Sequence, residues 1–295
     1  MPSHRALTLG FVVLSLLSAC ARVEPPIAAP TQAVTTPPPL PSRTPTPEPA
    51  PPLTPTTLPV CRDRAGRVLA DEIMLPEDPR PLVYRLYLPP CFDPGRAARY
   101  PTLYLMHGLA QSEAEWVDLG IAATADTLIA QGSIPAMLIV MPGERTGYDM
   151  LVALTDTLLP HLERSLPSGG RPELRAIGGL SHGGGWALRI GFLHPELFTA
   201  IGLHSPAVIS PDLYLLPTWA TEMPSESMPR LWIDIGSEDT LLPGALDLRA
   251  RLDKLHWPYT WVQNPGEHTA AYWSEHLAEY LGWYAQAWPS RGPEG

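Results

Sequence analysis

Beyond Pro101 the chain alternates between short apolar runs and longer stretches in which apolar side chains recur every three to four residues. Thr102–Met106, Ala136–Met141, Arg175–Gly179, Ala200–His204, Leu231–Ile235 and Tyr259–Val262 are largely apolar, the pattern of parallel strands buried on both faces. The segments between them suit helices that cross over such a sheet; Asp149 to Leu166, for example, carries apolar residues at 151, 154, 158, 159 and 162. Upstream, Val68–Leu75 and Leu82–Leu88 read as opening strands. The second alternates through Val83-Tyr84-Arg85-Leu86-Tyr87-Leu88 until Pro89-Pro90 stops it, and the pair predicts an antiparallel edge. Together these runs predict a three-layer α/β/α sandwich around a mostly parallel central sheet. Pro206 to Pro229 breaks the rhythm: it is proline-rich, poorly periodic and carries Tyr214, Trp219 and Met223, which fits either a lid over a site or an ordinary surface excursion.

Residues 1–59 share none of this patterning. His4 and Arg5 precede an apolar run from Ala6 to Ala19, short for a membrane span and suited to a signal peptide over residues 1–19. It ends in Leu17-Ser18-Ala19-Cys20, which resembles the bacterial lipobox, so Cys20 is expected to be the lipidated new N-terminus; the alternative is an ordinary secretory signal cut near Ala19. Residues 24–59 hold 14 prolines among 36 positions and few large apolar groups, too little to bury on folding. The segment 20–59 therefore reads as a disordered stalk, which polyproline II geometry would let reach roughly 110 Å from a bilayer. Residues 60–295 are left as one folded domain.

Composition narrows the picture further. A formal net charge of −10 and the lack of any basic run exclude nucleic acid as a partner. The chain has three cysteines; with Cys20 lipidated, Cys61 and Cys91 would meet an oxidising compartment and are expected to pair, the alternative being two separate thiols. No histidine shows metal-ligand spacing, and no cofactor is implied.

Candidate chemistry sits in Gly178-Gly179-Leu180-Ser181-His182-Gly183-Gly184-Gly185, which follows the apolar Arg175-Ala176-Ile177 and precedes a helical stretch, Trp186 to Leu193. A serine flanked by residues without side chains suits a sharp strand-to-helix turn that exposes a nucleophilic hydroxyl. Such a serine needs a base within hydrogen-bond reach, and the base needs a carboxylate that holds its tautomer. Asp239, past Leu231–Ile235 and the turn Gly236-Ser237-Glu238, and His268, past Val262 and the loop 263–267, complete the order Ser, Asp, His at strand ends. Asp234 and Glu238 compete as the acid, and His182, His194, His204, His256 and His276 as the base. Backbone N–H groups of Leu109, after the strand that ends in His107-Gly108, and of His182 are the expected oxyanion donors, with His107 bracing the turn. Trp116, Trp186, Trp219, Tyr272 and Trp273 flank these positions; the four tryptophans are candidate substrate platforms, although tryptophans in such a domain are commonly core.

Over about residues 68–287 these motifs resemble the α/β-hydrolase fold, and within it the esterase branch that holds esterase D, feruloyl and acetylxylan esterases and mycolyltransferases. The matching runs are Tyr100 to Gly108 with Trp116 downstream, Gly179-Leu180-Ser181-His182-Gly183-Gly184, His194-Pro195-Glu196-Leu197-Phe198, Gly236-Ser237-Glu238-Asp239 and Gly266-Glu267-His268. One departure is His182, where that branch often has methionine. The resemblance implies a metal-free serine esterase that passes through an acyl-enzyme and acts on a small-molecule or carbohydrate-linked ester. It equally fits an acyltransferase on the same triad. A non-catalytic binding protein would usually have lost a triad member, and all three are present.

Overall fold

The computed structural model describes residues 61–288 apart from Glu77 and Tyr148. The expected signal peptide, Cys20 and the stalk lie outside the described residues. Strands β1 (Arg67–Leu75), β2 (Asp78–Leu88), β3 (Thr102–Met106), β4 (Leu138–Pro142), β5 (Arg175–Leu180), β6 (Ala200–His204), β7 (Arg230–Gly236) and β8 (Thr260–Asn264) form one eight-stranded sheet in the order β1-β2-β4-β3-β5-β6-β7-β8. β1 and β2 pair antiparallel, as do β2 and β4, and every other pairing is parallel. The helices are α1 (Glu115–Asp118), α2 (Ile121–Ala130), α3 (Met150–Val152), α4 (Leu159–Ser165), α5 (His182–Leu193), α6 (Ser210–Glu222), α7 (Leu242–Lys254) and α8 (Ala270–Ala285).

The alternation of side chains across the pleat divides the core into two layers. Tyr104, Met106, Val140, Ile177, Ile201, Leu203 and Ile233 point to one face, where α3 to α7 cover them with Leu154, Leu162, Leu188, Leu216 and Leu248. Leu103, Leu105, Ile139, Ala176, Leu180 and Trp232 point to the other, under α1, α2 and α8 with Trp116, Ile121, Tyr280 and Tyr284. Each such aliphatic side chain, fully buried, contributes about 1.5–3 kcal/mol. The result is the three-layer α/β/α arrangement of the α/β-hydrolase fold.

The register brings the ends of the parallel strands to one edge: Met106 lies beside Gly179, Leu180 beside His204, His204 beside Asp234 and Gly236 beside Asn264. Chemistry carried just past each strand end therefore converges. Cys61 and Cys91 are joined by a disulfide, Cα to Cα 5.6 Å, across a sequence separation of 30. A loop of that length corresponds to about 3–4 kcal/mol in the chain-entropy model.

Three elements differ from the pattern reading. The stretch 149–166 is not one α-helix: a π-helical segment, Ala153–Leu158, separates α3 from α4. Pro160 stands at the junction and lacks the N–H that a regular helix would direct at residue 156, so the turn before it widens. α5 begins at His182 rather than Trp186, its first turn built on Gly183, Gly184 and Gly185. Within 206–229, α6 forms despite Pro217 in its interior. It is seated rather than free: Leu213 and Leu216 are buried, and Arg189 of α5 holds Asp212 at 2.7 Å.

Candidate active site

Ser181 occupies the tip between β5 and α5 with φ 54° and ψ −119°, a conformation that costs a non-glycine residue about 1–3 kcal/mol. The surroundings enforce it. Ser181 N–H donates to His204 O at 2.9 Å, and the Ser181 carbonyl accepts from Ala207 N–H at 2.8 Å and Gly184 N–H at 3.0 Å. A Cβ on Gly179 would stand 2.4 Å from the Gly183 carbonyl, and one on Gly183 would stand 2.3 Å from Met106 O, so only glycines let β5, α5 and the end of β3 approach this closely.

His268 Nε2 lies 2.9 Å from Ser181 Oγ, and its Nδ1 lies 2.9 Å and 3.0 Å from the two carboxylate oxygens of Asp239. The Asp239 side chain is fully buried and is anchored by Leu241 N–H, which donates to Oδ1 at 2.7 Å. Trp273 packs edge-on against the His268 ring, centroids 4.9 Å apart at 87°. An imidazole held between a hydroxyl and a buried carboxylate can accept the hydroxyl proton while its other nitrogen stays protonated.

The rival acids and bases have other occupations. Glu238 is exposed and ties the Asp239 turn to the His268 loop: Gly266 N–H donates to its Oε2 at 2.7 Å and its own N–H donates to Gly266 O at 2.9 Å. Its carboxyl is held low by the Ser237 hydroxyl and the Gly266 N–H. Asp234 and His204 pair with each other at 2.6 Å, both essentially inaccessible to water. Asp234 also accepts from Tyr280 (2.7 Å), Trp232 (3.1 Å) and Tyr272 (3.2 Å), while His204 Nε2 meets the Tyr284 hydroxyl at 3.1 Å. This buried hub is reached through His204, whose carbonyl holds Ser181. It also explains two glycines inside strands, because a Cβ on Gly178 or Gly202 would fall within 2 Å of the Tyr284 oxygen. His194 faces the carboxylate of Glu196 (3.1 Å) and His276 that of Glu279 (3.5 Å), both exposed partners.

Leu109, one of the two expected oxyanion donors, is 72% exposed and follows Gly108, whose N–H donates to Glu115 Oε2 at 2.7 Å. Burial raises the Glu115 pKa, opposed chiefly by that N–H. Neither Leu109 N–H nor His182 N–H donates to another described residue. His107 braces the turn as expected from its position, Nδ1 2.8 Å from Gly108 O and Nε2 accepting Glu144 N–H at 2.7 Å.

The tryptophans divide. Trp116 is 1% exposed and donates its indole N–H to Met106 O at 3.0 Å; it is a core residue, not a platform. Trp273, 6% exposed, supports His268 from beneath and presents no open face. Trp219 is half-buried against the core on α6. Trp186 borders a small cleft with His182, Arg189, Ile209 and Asp212. Wider cavities of about 560 and 810 Å³ lie at the opposite strand ends, the first around Arg99, Pro101 and Ala136 and the second around Ser133, Ile134 and Trp288. Among the described residues, no cluster of His, Cys, Asp or Glu is arranged to hold a metal ion.

Residues 79–284 match the family model described as Putative esterase. A curated endo-1,4-beta-xylanase/feruloyl esterase of Xylanibacter ruminicola is 32% identical over 131 residues, 40% of this chain, and the chain spans 18% of the length of that relative. Among solved structures, a ferulic acid esterase superposes with a TM-score of 0.69 at 23% identity, covering 76% of this chain and 100% of that one. S-formylglutathione hydrolase of Staphylococcus aureus gives 0.66 at 19% identity, with 76% and 98% covered. A ferulic acid esterase of Anaeromyces mucronatus, solved with ferulic acid, gives 0.63 at 19% identity, with 76% and 92% covered. At these identities the structural likeness establishes the fold.

Proposed function

We propose that this chain, which belongs to that esterase family, is a carboxylic-ester hydrolase in which Ser181 is the nucleophile, His268 the general base and acid, and Asp239 the carboxylate that orients His268. The observation that carries this reading is the His268 ring bridging Ser181 Oγ and Asp239 at 2.9 Å on each side. Ser181 Oγ attacks the ester carbonyl as its proton passes to His268 Nε2, and the Leu109 and His182 N–H groups receive the oxyanion. Collapse expels the alcohol, which takes the proton from Nε2. Water then gives a proton to Nε2 and attacks the acyl-enzyme, and Ser181 recovers that proton as the acid leaves.

The relatives named as feruloyl esterases point to a phenolic acid esterified to a carbohydrate as the substrate class. Methyl ferulate and p-nitrophenyl acetate test this together. The expected result is hydrolysis of both. Turnover that appears only when a sugar alcohol is supplied as acceptor would replace hydrolysis with another chemistry.

We read residues 1–19 as a lipoprotein signal, Cys20 as the lipid anchor and residues 20–59 as the spacer that holds an extracytoplasmic enzyme away from the membrane. The Cys61–Cys91 disulfide supports an oxidising compartment. The full chain should partition into the detergent phase and its Cys20→Ala variant into the aqueous phase; equal partitioning of the two would remove the anchor.

A further inference from the structure

The two proposed oxyanion donors belong to different elements, Leu109 to the loop after β3 and His182 to the first turn of α5, and one residue touches the supports of both. Glu144 follows β4 in Pro142-Gly143-Glu144. Its N–H donates to His107 Nε2 at 2.7 Å. That bond makes Nε2 the acceptor, so Nδ1 carries the proton and donates to Gly108 O at 2.8 Å. Gly108 O and Leu109 N–H belong to the same planar peptide, and fixing the carbonyl fixes the opposite direction of the N–H. At its other end, the Glu144 carboxylate meets His182 Nε2 at 3.0 Å, with the Trp186 indole N–H 3.0 Å from the same nitrogen. One ring nitrogen cannot both accept from Trp186 and donate to Glu144; the carboxylate can only accept, so Nε2 carries the proton and donates to Glu144. We propose that Glu144 is a positioning residue for ester hydrolysis, coupling the Leu109 and His182 amides into one rigid oxyanion site through His107 on one side and the His182 ring on the other.

This inference rests on the proposed Ser181 mechanism and adds a residue to it. Glu144 also accounts for the departure at the position after the nucleophile, since methionine there would offer the carboxylate no donor. The hydrogen bond to Glu144 raises the His182 pKa against burial and the charge of Arg189. Burial pushes Glu144 upward, but the hydrogen bonds from His182 and Trp186 outweigh it and leave the carboxyl lowered. The stabilisation from Glu144 is present above the ordinary glutamate range and lost as pH falls through its lowered pKa. That from His182 is present below the ordinary histidine range and lost as pH rises through its raised pKa. The pair is therefore complete between those two ranges. The other titratable or charged groups that act on the pair are Arg189, itself paired with Asp212 of α6, and the His107 ring.

Steady-state kinetics on p-nitrophenyl acetate, and inhibition by a trifluoromethyl ketone whose serine adduct bears the oxyanion, test the proposal on Glu144→Ala, Glu144→Asp and Glu144→Gln. Deleting an oxyanion donor outright costs about 10²–10³ in kcat, so loosening one should cost about tenfold. Glu144→Ala and Glu144→Asp, whose carboxylate is too short to reach His182, should each lose about tenfold in kcat with KM within about twofold. Ketone binding should weaken by the same factor. Glu144→Gln, whose amide oxygen still accepts from His182, should recover to within about threefold of the parent. The proposal is overturned if Glu144→Asp keeps full kcat, if ketone binding is unmoved while kcat falls, or if Glu144→Gln is as poor as Glu144→Ala. Ser181→Ala, measured alongside, separates the two claims: activity surviving in it defeats the Ser181 mechanism, whereas its loss together with unchanged Glu144 variants defeats only the role of Glu144.

Discussion

Replacement of Ser181 by alanine should lower kcat on p-nitrophenyl acetate by about three decades or more while the domain stays folded. The hydroxyl is the only atom removed, and the backbone bonds that hold the strained turn, Ser181 N–H to His204 O and Ala207 N–H to Ser181 O, do not involve it. What survives is the contribution of the oxyanion donors and of substrate binding, which speed attack by water without a covalent step. Circular dichroism and thermal unfolding on the same samples check that the loss is chemical. A variant that retained even a tenth of the parent rate would mean that the hydroxyl 2.9 Å from His268 is not the nucleophile.

Asp239→Asn should cost about three to four decades in kcat at neutral pH, nearly as much as losing the serine. The substitution preserves size, and its carbonyl oxygen can keep the bond from Leu241 N–H that now reaches Asp239 Oδ1 at 2.7 Å. The amide nitrogen would then turn toward His268 Nδ1, where it can only donate. Nδ1 becomes the acceptor and Nε2 the protonated nitrogen, the wrong tautomer to receive the Ser181 proton. KM should stay within about threefold, since the Asp239 side chain is fully buried and cannot touch a substrate. A fall confined to KM, or a loss below tenfold, would assign the orienting role to another carboxylate, for which Glu115 beside Gly108 is the available candidate.

Sequence pattern carried much of this architecture. The inner strands β3 to β7 lie in short apolar runs between polar or proline-rich punctuation, and a sheet covered on both faces leaves no other place for runs of that length. Ser181, Asp239 and His268 were legible for a related reason: in a parallel sheet, residues just past successive strand ends share one edge. Where the pattern fell short, the deciding contact came from elsewhere in the chain. Three consecutive glycines argue against a helix by propensity, yet Gly183, Gly184 and Gly185 form its first turn because β3 and the loop at Pro206 and Ala207 leave no room for side chains. Trp116 and Trp273 lie close in sequence to site residues but face into the layer under α8, and nothing local distinguishes such a tryptophan from one that faces a substrate. Asp234 was recognisable as a carboxylate inside a strand, which normally signals burial with partners, but apart from Trp232 its partners come from β6 and α8, 30 to 46 residues away along the chain. Glu144 gives no signal at all: it ends a Pro-Gly-Glu turn, and its two partners are 37 and 38 residues away along the chain.

The most direct test of the Ser181 mechanism is covalent titration with diisopropyl fluorophosphate, followed by peptide mass mapping and residual-activity assay at each level of labelling. The mechanism predicts one phosphoryl group per chain, carried by the peptide that contains Ser181, with esterase activity falling in strict proportion to its occupancy. Activity that persists with Ser181 fully labelled, or that disappears while the label sits on another residue, would contradict it.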